Sequence, residues 1–236
     1  MPQAVTTVID AELCNGCGRC IRVCPSQTLS LVNGKAVVTG DSSLNCGHCQ
    51  AVCPEGAVRV GSLDPQQSSF ATFELDEAWL PHGSYDLPGL ARLMASRRSC
   101  RNYRQDPVPR DMLADLVTIG LSAPSGTNSQ RWSFTVLPDR EKVLELAGGV
   151  GRVMAEFNRM SEKAWLRKLM RMIGKPELDD YYHEYHDSVS RGLAEWEDQG
   201  IDRLTHGATA AIMIGSLPGA STPKEDALLA AGHMLL

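Results

Sequence analysis

Cys14-Asn15-Gly16-Cys17-Gly18-Arg19-Cys20-Ile21-Arg22-Val23-Cys24-Pro25 is the stretch from which the rest of this chain is read. Its spacing is C-x2-C-x2-C-x3-C-P, in which three closely set thiolates wrap one face of an iron-sulfur cube while the fourth cysteine reaches a second cluster. A related run, Cys46, Cys49 and Cys53 followed by Pro54, comes later, and each run leads into a short apolar segment, Thr28 to Val32 and Ala57 to Val60. The half-domain is an internal repeat. By the crossing rule, Cys14, Cys17, Cys20 and Cys53 hold the first cluster, and Cys24, Cys46 and Cys49 supply three ligands to the second. Ser43 stands at the fourth position. A serine oxygen could ligate iron there, the site could hold a three-iron cluster, or it could be labile; the residues leave all three open.

The glycines between the ligands, Gly16 and Gly18 in the first run, suit loops that turn amide N-H groups toward sulfide, with ordinary turn glycine as the equal alternative. Zinc is the rival for the cysteines themselves, but zinc prefers pairs of C-x2-C arms, whereas these triplets end in Cys-Pro. Of the eight cysteines, all but Cys100 crowd into Cys14 to Cys53 at metal-ligand spacing, which argues against a secreted disulfide framework and for a reducing cytoplasm. From Thr6 to Gly61 the segment resembles a bacterial 2x(4Fe-4S) ferredoxin domain. The resemblance implies a small βαββαβ-like fold that passes single electrons, and we assign it to residues 1-61.

A chain of 236 residues with 43% hydrophobic and 22% charged residues has the composition of a soluble globular protein with room for one large or two modest domains. The formal charge of -5 offers no basic excess for a phosphate backbone, so nucleic acid is not expected as a partner. Met1 to Asp10 has neither a basic start nor an apolar run, and Gly207 to Pro223, the longest uncharged stretch, is broken by Gly and Pro, so no membrane span is expected.

Residues 62-88, with Pro65, Gln66, Gln67, Ser68 and Ser69 and later Pro81, His82 and Gly83, are turn-rich and aperiodic, and read as a linker. Residues 89-236 then alternate helices and strands, which argues for an α+β or α/β domain. Leu90, Leu93 and Met94 have helical spacing up to Ser96, Arg97 to Gln105 is a loop, and Pro109 opens a second helix through Met112, Leu113, Leu116 and Val117. Arg131 to Leu137 alternates as a strand, and Glu141 to Ala147 reads as a helix punctuated by Gly148, Gly149 and Gly151. Met154 to Gly174 reads as one long or two short helices with a core-facing apolar stripe and a solvated basic face. A helical stretch from Asp179 to Asp198, a β-like run from Ala208 to Ile214 and a helix from Lys224 to Leu236 complete the pattern.

Two segments carry chemistry here. Arg97-Arg98-Ser99-Cys100-Arg101 places three guanidinium groups and a hydroxyl on one loop, a set matched to phosphate oxygens, although arginine runs are more often solvated faces. Ala123-Pro124-Ser125-Gly126-Thr127-Asn128-Ser129-Gln130-Arg131-Trp132 is a small-residue loop opening a strand, rich in groups that can hydrogen-bond a planar heterocycle. In that order across one helix, the pair resembles the nitroreductase family of FMN enzymes. The resemblance implies that Arg97, Ser99 and Arg101, with Arg98 through its backbone, contact the FMN phosphate, ribityl chain or pyrimidine edge, and that Ser125, Gly126, Thr127, Asn128 and Gln130 line the flavin. It also implies a homodimer whose second loop reaches the flavin from the partner subunit. Arg131 occupies the position where the family usually has proline.

Ala208 to Gly215 and Asp226 to Leu236 resemble the family's strand after its variable helical insert and the helix that follows. The family's remaining segment is not in the sequence given, so the nitroreductase-like domain is expected to be C-terminally incomplete and its FMN affinity reduced. Cys100 is expected to be a small buried residue rather than a reactive thiol. His183 and His186, with Glu184 and Asp187, have helix-face spacing for a metal but no third ligand, so structural or solvent-facing roles are favoured.

The expected fold is therefore α+β, a small ferredoxin-like domain followed by a nitroreductase-like one. The expected function is an iron-sulfur flavoprotein oxidoreductase, in which a redox partner meets the clusters and FMN delivers electrons to a nitroaromatic, quinone or activated alkene. The alternatives are an electron-transfer module and a flavin dehydrogenase that sends electrons out through the clusters. No catalytic acid or base can be named from the sequence.

Overall fold

The computed structural model describes residues 3-63, 69-76 and 83-236. Of the expected linker, residues 64-68 and 77-82, including Pro65 and Pro81, lie outside the described residues. The chain forms two compact units, one of Met1–Arg97, Asp111–Thr135 and Met213–Leu236, the other of Arg98–Arg110 and Val136–Ile212.

In the first unit, the iron-sulfur half runs β1 (Gln3–Ala4), β2 (Thr7–Ile9), α1 (Arg19–Arg22), β3 (Leu29–Val32), β4 (Lys35–Val38), β5 (Ser42–Ser43), α2 (His48–Ala51) and β6 (Val58–Val60). β2-α1-β3-β4-α2-β6 is the expected βαββαβ order, and β1 and β5 form an additional antiparallel pair that sets Gln3 opposite Ser43. β2 pairs antiparallel with β6, and β3 with β4. The β3-β4 turn is Asn33-Gly34, both at positive φ (50° and 76°), the two-residue turn whose twist matches the strands it joins. α1 and α2 each follow a left-handed glycine, Gly18 and Gly47, so the sequence repeat is also a structural one. Leu29, Ala36, Ala57, Val58 and Val60 are buried together with Cys14, Cys20 and Cys49, which makes three of the motif cysteines part of the core.

The rest of this unit holds α3 (Leu87–Ser96), α4 (Arg110–Leu121), a single 3-10 turn at Gly126–Asn128, the start of β7 (Trp132–Leu137), the end of β8 (Ala211–Ser216) and α9 (Pro223–Met234). β7 and β8 pair. Ala123, Trp132 and Ala230 are buried against Leu121, Phe134 and Ile214. Asp115 on α4 accepts the Ala71 amide at 2.7 Å, the Thr72 amide at 2.8 Å and the Thr72 hydroxyl, which ties the described part of the linker to α4. The Thr72 hydroxyl, followed by the Ala71 amide, holds the Asp115 carboxyl below the ordinary carboxylate range.

The second unit is mainly helical: α5 (Arg140–Ser161), α6 (Ala164–Met172), α7 (Glu177–Glu184) and α8 (His186–Gln199). α5 corrects the sequence reading, because it continues for 22 residues through Gly148, Gly149 and Gly151. Each glycine costs about 1 kcal/mol relative to alanine in a helix. Packing offsets that cost: α5 lies against α7 and α8, with Val143, Ala147, Asn158 and Ser161 buried. Asn158 is fixed from both sides, donating to Ser190 Oγ at 2.9 Å and accepting from Tyr181 OH at 2.6 Å. The stretch expected as Met154 to Gly174 divides into the end of α5 and all of α6, and the stretch expected from Asp179 divides at Tyr185. A second correction concerns the α6 stripe. Trp165, Leu169 and Ile173 of the expected core-facing stripe are exposed instead.

Candidate functional site

Cys14, Cys20 and Cys49 are buried, Cys17 and Cys46 are exposed, and Cys24 and Cys53 lie between. Backbone amides are aimed at sulfur, among them Ala36 N to Cys14 Sγ at 3.5 Å, Thr28 N to Cys24 Sγ at 3.4 Å and Ala57 N to Cys53 Sγ at 3.3 Å. Such bonds favour the thiolate and are the means by which a protein tunes cluster-bound sulfur. The Ala36 amide, then that of Gly16, holds the Cys14 thiol low. Burial pushes Cys20 and Cys49 up, with Cys14 and Cys17 adding to the shift at Cys20 and Cys24 and Cys46 adding at Cys49. The thiols thus group as Cys14, Cys17 and Cys20 and as Cys24, Cys46 and Cys49. The second group shares a cavity with Ser43, which is buried and whose Oγ accepts the Asn45 amide at 3.0 Å. Thiols in two groups, with amide donors around them, fit two clusters.

Asn45, which sequence reasoning missed, is the polar hub beside that cavity. Only 3% exposed, with φ of 50°, it donates Nδ2 to Ala4 O at 2.9 Å and accepts the Thr6 amide on Oδ1 at 3.2 Å. Its carbonyl takes Ser62 Oγ at 3.1 Å and Asn128 Nδ2 at 2.9 Å.

The arginine loop falls where one unit gives way to the other along the sequence. Arg97 is the C-cap of α3, Arg97 to Arg101 are exposed, and Cys100, expected to be buried, is exposed as well, its thiol 3.5 Å from Asn102 O. This segment is a loop without helix or strand.

Ser125, Gly126, Asn128 and Gln130 are half-buried and Thr127 is exposed. Thr127, Asn128 and Gln130 all sit in the left-handed region, at φ 52°, 52° and 49°. Three such residues in one loop cost on the order of 1 to 3 kcal/mol each and persist only where surrounding contacts enforce them. Asp226, a second residue missed by sequence reasoning, holds the residues that flank Thr127 and Asn128. It is 2% exposed; Oδ1 accepts the Gly126 amide at 2.8 Å and Thr222 Oγ1 at 2.7 Å, and Oδ2 accepts Ser129 Oγ at 3.4 Å. Trp132 Nε1 donates to the Asp226 carbonyl at 3.1 Å, Ser125 Oγ accepts the Gln130 amide at 3.0 Å, and Gln130 Nε2 reaches Asn128 Oδ1 at 3.2 Å. Arg131, at the position of the family's proline, donates to Pro218 O at 3.1 Å. A fixed rim of amide, hydroxyl and carboxamide groups is suited to the edge of a planar ring with alternating donors and acceptors.

His186 is engaged with Asp187 at 3.0 Å and Glu162 at 3.3 Å, and these carboxylates, Asp187 first, raise its pKa. Among the described residues, no three His, Cys, Asp or Glu side chains converge on a single-ion site. No helix among the described residues is long and apolar enough to cross a membrane.

An α+β chain that joins a doubled cysteine motif to a small-residue loop opening a strand defines a class, and comparison with known proteins gives it a family. Residues 94–236 match the nitroreductase family and residues 6–54 match the 4Fe-4S dicluster domain. The chain belongs to the nitroreductase family. It is 28% identical over 138 residues to an FMN reductase [NAD(P)H] of Bacillus subtilis, covering 53% of this chain and 51% of the relative. To a 4-nitrobenzoate reductase of Nocardioides it is 35% identical over 72 residues, covering 28% and 29%. To ferredoxin-2 of Desulfomicrobium norvegicum it is 47% identical over 32 residues, covering 14% and 54%. The chain thus spans about half of the first and last of these relatives and less of the second. A nitroreductase with bound FMN from Bacteroides fragilis aligns at a TM-score of 0.40 and 20% identity over 62% of each chain.

Proposed function

We propose that the protein is an iron-sulfur flavoprotein oxidoreductase that moves electrons between clusters in its first domain and FMN in its second, and on to an organic acceptor. The observation that carries this reading is the presence of a dicluster match and a nitroreductase match in one chain. Bound FMN would accept electrons singly and hand them on as a pair. In this reading Cys14, Cys17, Cys20 and Cys53 hold one cluster, and Cys24, Cys46 and Cys49, with Ser43 at the fourth position, hold the other. Arg97, Arg98, Ser99 and Arg101 bind the phosphate end of FMN by charge-assisted hydrogen bonds. Ser125, Gly126, Thr127, Asn128 and Gln130 orient the ring edge, and Asp226 keeps their loop in shape.

The domains are 1-61 and 89-236, joined by a linker over 62-88. The acceptor is a nitroaromatic, quinone or activated alkene, and the name of the Nocardioides relative supports the first. A low-potential redox protein exchanges electrons with the clusters. The protein acts as a homodimer in the cytoplasm, and the uncovered face of α6 around Trp165, Met172 and Ile173 supports a second copy, since exposed apolar patches mark interaction sites.

Anaerobic purification tests the reading. Broad visible absorbance from clusters and release of FMN on denaturation are expected; iron without flavin would leave an electron-transfer module, and zinc without iron would overturn the reading. EPR of the oxidised protein separates a three-iron cluster from a serine-ligated one at the second site.

A further inference from the structure

We infer that electrons leave the iron-sulfur half through the second cluster site, the one next to Ser43, and that Gln3 and Asn45 are positioning residues that hold the flavin loop against it. The inference rests on the function proposed above and adds the direction of the wire inside the molecule. Among the described residues, the hydrogen bonds between the flavin loop and the iron-sulfur half land on two residues. Asn128 Nδ2 donates to Asn45 O at 2.9 Å, and Gln3 Nε2 donates to Asn128 O at 3.1 Å and Thr127 O at 3.3 Å.

Both anchors border the second site. Asn45 is bonded in sequence to Cys46, its amide is held by Ser43 Oγ, and its side chain is pinned between Ala4 and Thr6. Gln3 is the β1 residue registered opposite Ser43. A short path of covalent and hydrogen bonds therefore runs from Cys46 through the Asn45 peptide into the Asn128 side chain. Asn128 is also one of the residues assigned to the flavin, and its carboxamide is shared between the two halves.

The redox balance is simple. With both clusters and FMN bound, the second site, held by Cys24, Cys46 and Cys49 beside Ser43, would pass one electron at a time to the flavin, the first would replace it, and a one-electron donor would restore both. Two such passages, with two protons from water, reduce the flavin fully. The role of Gln3 and Asn45 is distance and orientation, and in reactions that depend on geometry a misplacement of about 1 Å can cost about a hundredfold.

The test uses Gln3, which lies outside both cofactor sites. In protein carrying both cofactors, the clusters are reduced by a light flash and freeze-quench EPR follows loss of the cluster signal alongside flavin reduction. Gln3→Ala and Gln3→Glu, which lose the donor, are expected to slow cluster-to-flavin transfer at least about tenfold with iron and flavin content unchanged, whereas Gln3→Lys, which keeps a donor of similar reach, stays near the wild-type rate. In iron-loaded, flavin-free protein, hydrogen exchange of the amides at 126-130 should rise in Gln3→Ala. Equal transfer rates in wild type, Gln3→Ala and Gln3→Glu, with the flavin reduced in all three, would overturn this inference and leave the proposed function standing. Absence of flavin, or flavin that the clusters never reduce, would overturn the function itself.

Discussion

Replacing Asp226 with alanine removes the acceptor for the Gly126 amide and the Thr222 hydroxyl, and leaves a part-buried N-H without a partner. An unsatisfied group of that kind costs on the order of 1 to 3 kcal/mol, so Asp226→Ala should lower stability by about that amount in urea unfolding followed by tryptophan fluorescence. Flavin content should fall, because Gly126 and Ser129, which flank the left-handed Thr127 and Asn128, lose the carboxylate that holds them, while iron content stays unchanged. The arginine loop makes the complementary case: Arg97→Ala with Arg101→Ala should lose flavin and keep the clusters. Flavin retained at wild-type stoichiometry would refute that assignment. The cysteines were legible in the sequence because ligands that wrap one cluster must be close along the chain. Asp226 was not, because its partner Gly126 is 100 residues away and a single acidic residue in a helix has no pattern of its own. Gln3 and Asn45 were invisible for the same reason.

At the scale of elements, periodicity found the helices and glycine misled about their ends. The Gly148-Gly149-x-Gly151 run reads as a helix stop, yet neither Gly148 nor Gly149 has positive φ, and a β-carbon at each would meet only Arg152 side-chain atoms, at 3.7 and 3.9 Å. Gly148→Ala with Gly149→Ala should therefore raise the thermal midpoint of the helical unit, by about 1 to 2 kcal/mol in stability, provided the helix is continuous as described. The loop between α8 and β8 responds to acid. Burial would push the Asp202 carboxyl up, but the Thr205 hydroxyl and amide, the Arg140 guanidinium at 2.9 Å and the Gly207 amide outweigh it, and its pKa falls well below the ordinary value. The unfolded chain then takes up the proton at higher pH than the folded one. The stabilisation is complete above a pH of about 4 and is lost as pH falls further toward the depressed folded-state value. Asp202→Asn should be less stable at neutral pH and show a flatter acid limb, measured by urea midpoints between about pH 2 and 7.

Over the whole molecule, the iron-sulfur half and the helical unit differ in what holds them together. The iron-sulfur half has a core of a few small residues, Leu29, Ala36, Ala57, Val58 and Val60, completed by its own cysteines. Domains with so little apolar surface to bury need a metal or crosslink, and binding a metal there contributes folding free energy. Chelating the iron should release the β2-β6 and β3-β4 amides to rapid hydrogen exchange, while amides of α5 and α8 stay protected because that unit is built on Val143, Ala147, Asn158 and their helical neighbours. Loss of protection in the iron-sulfur half and the helical unit at the same chelator concentration would mean that they fold as one. This much of the architecture was legible, the cysteine repeat from spacing and the α+β pattern from alternation. The stripe on α6 was not, because periodicity shows that a helix has an apolar side and is silent on what lies against it.

Cys17 and Cys46, one from each group of thiols, stand at the surface while their neighbours are covered. A carrier that trades electrons quickly has to come near such a sulfur, and dioxygen comes in by the same opening. With clusters bound as proposed, readiness to react with a partner and frailty in air would be one property of these two side chains.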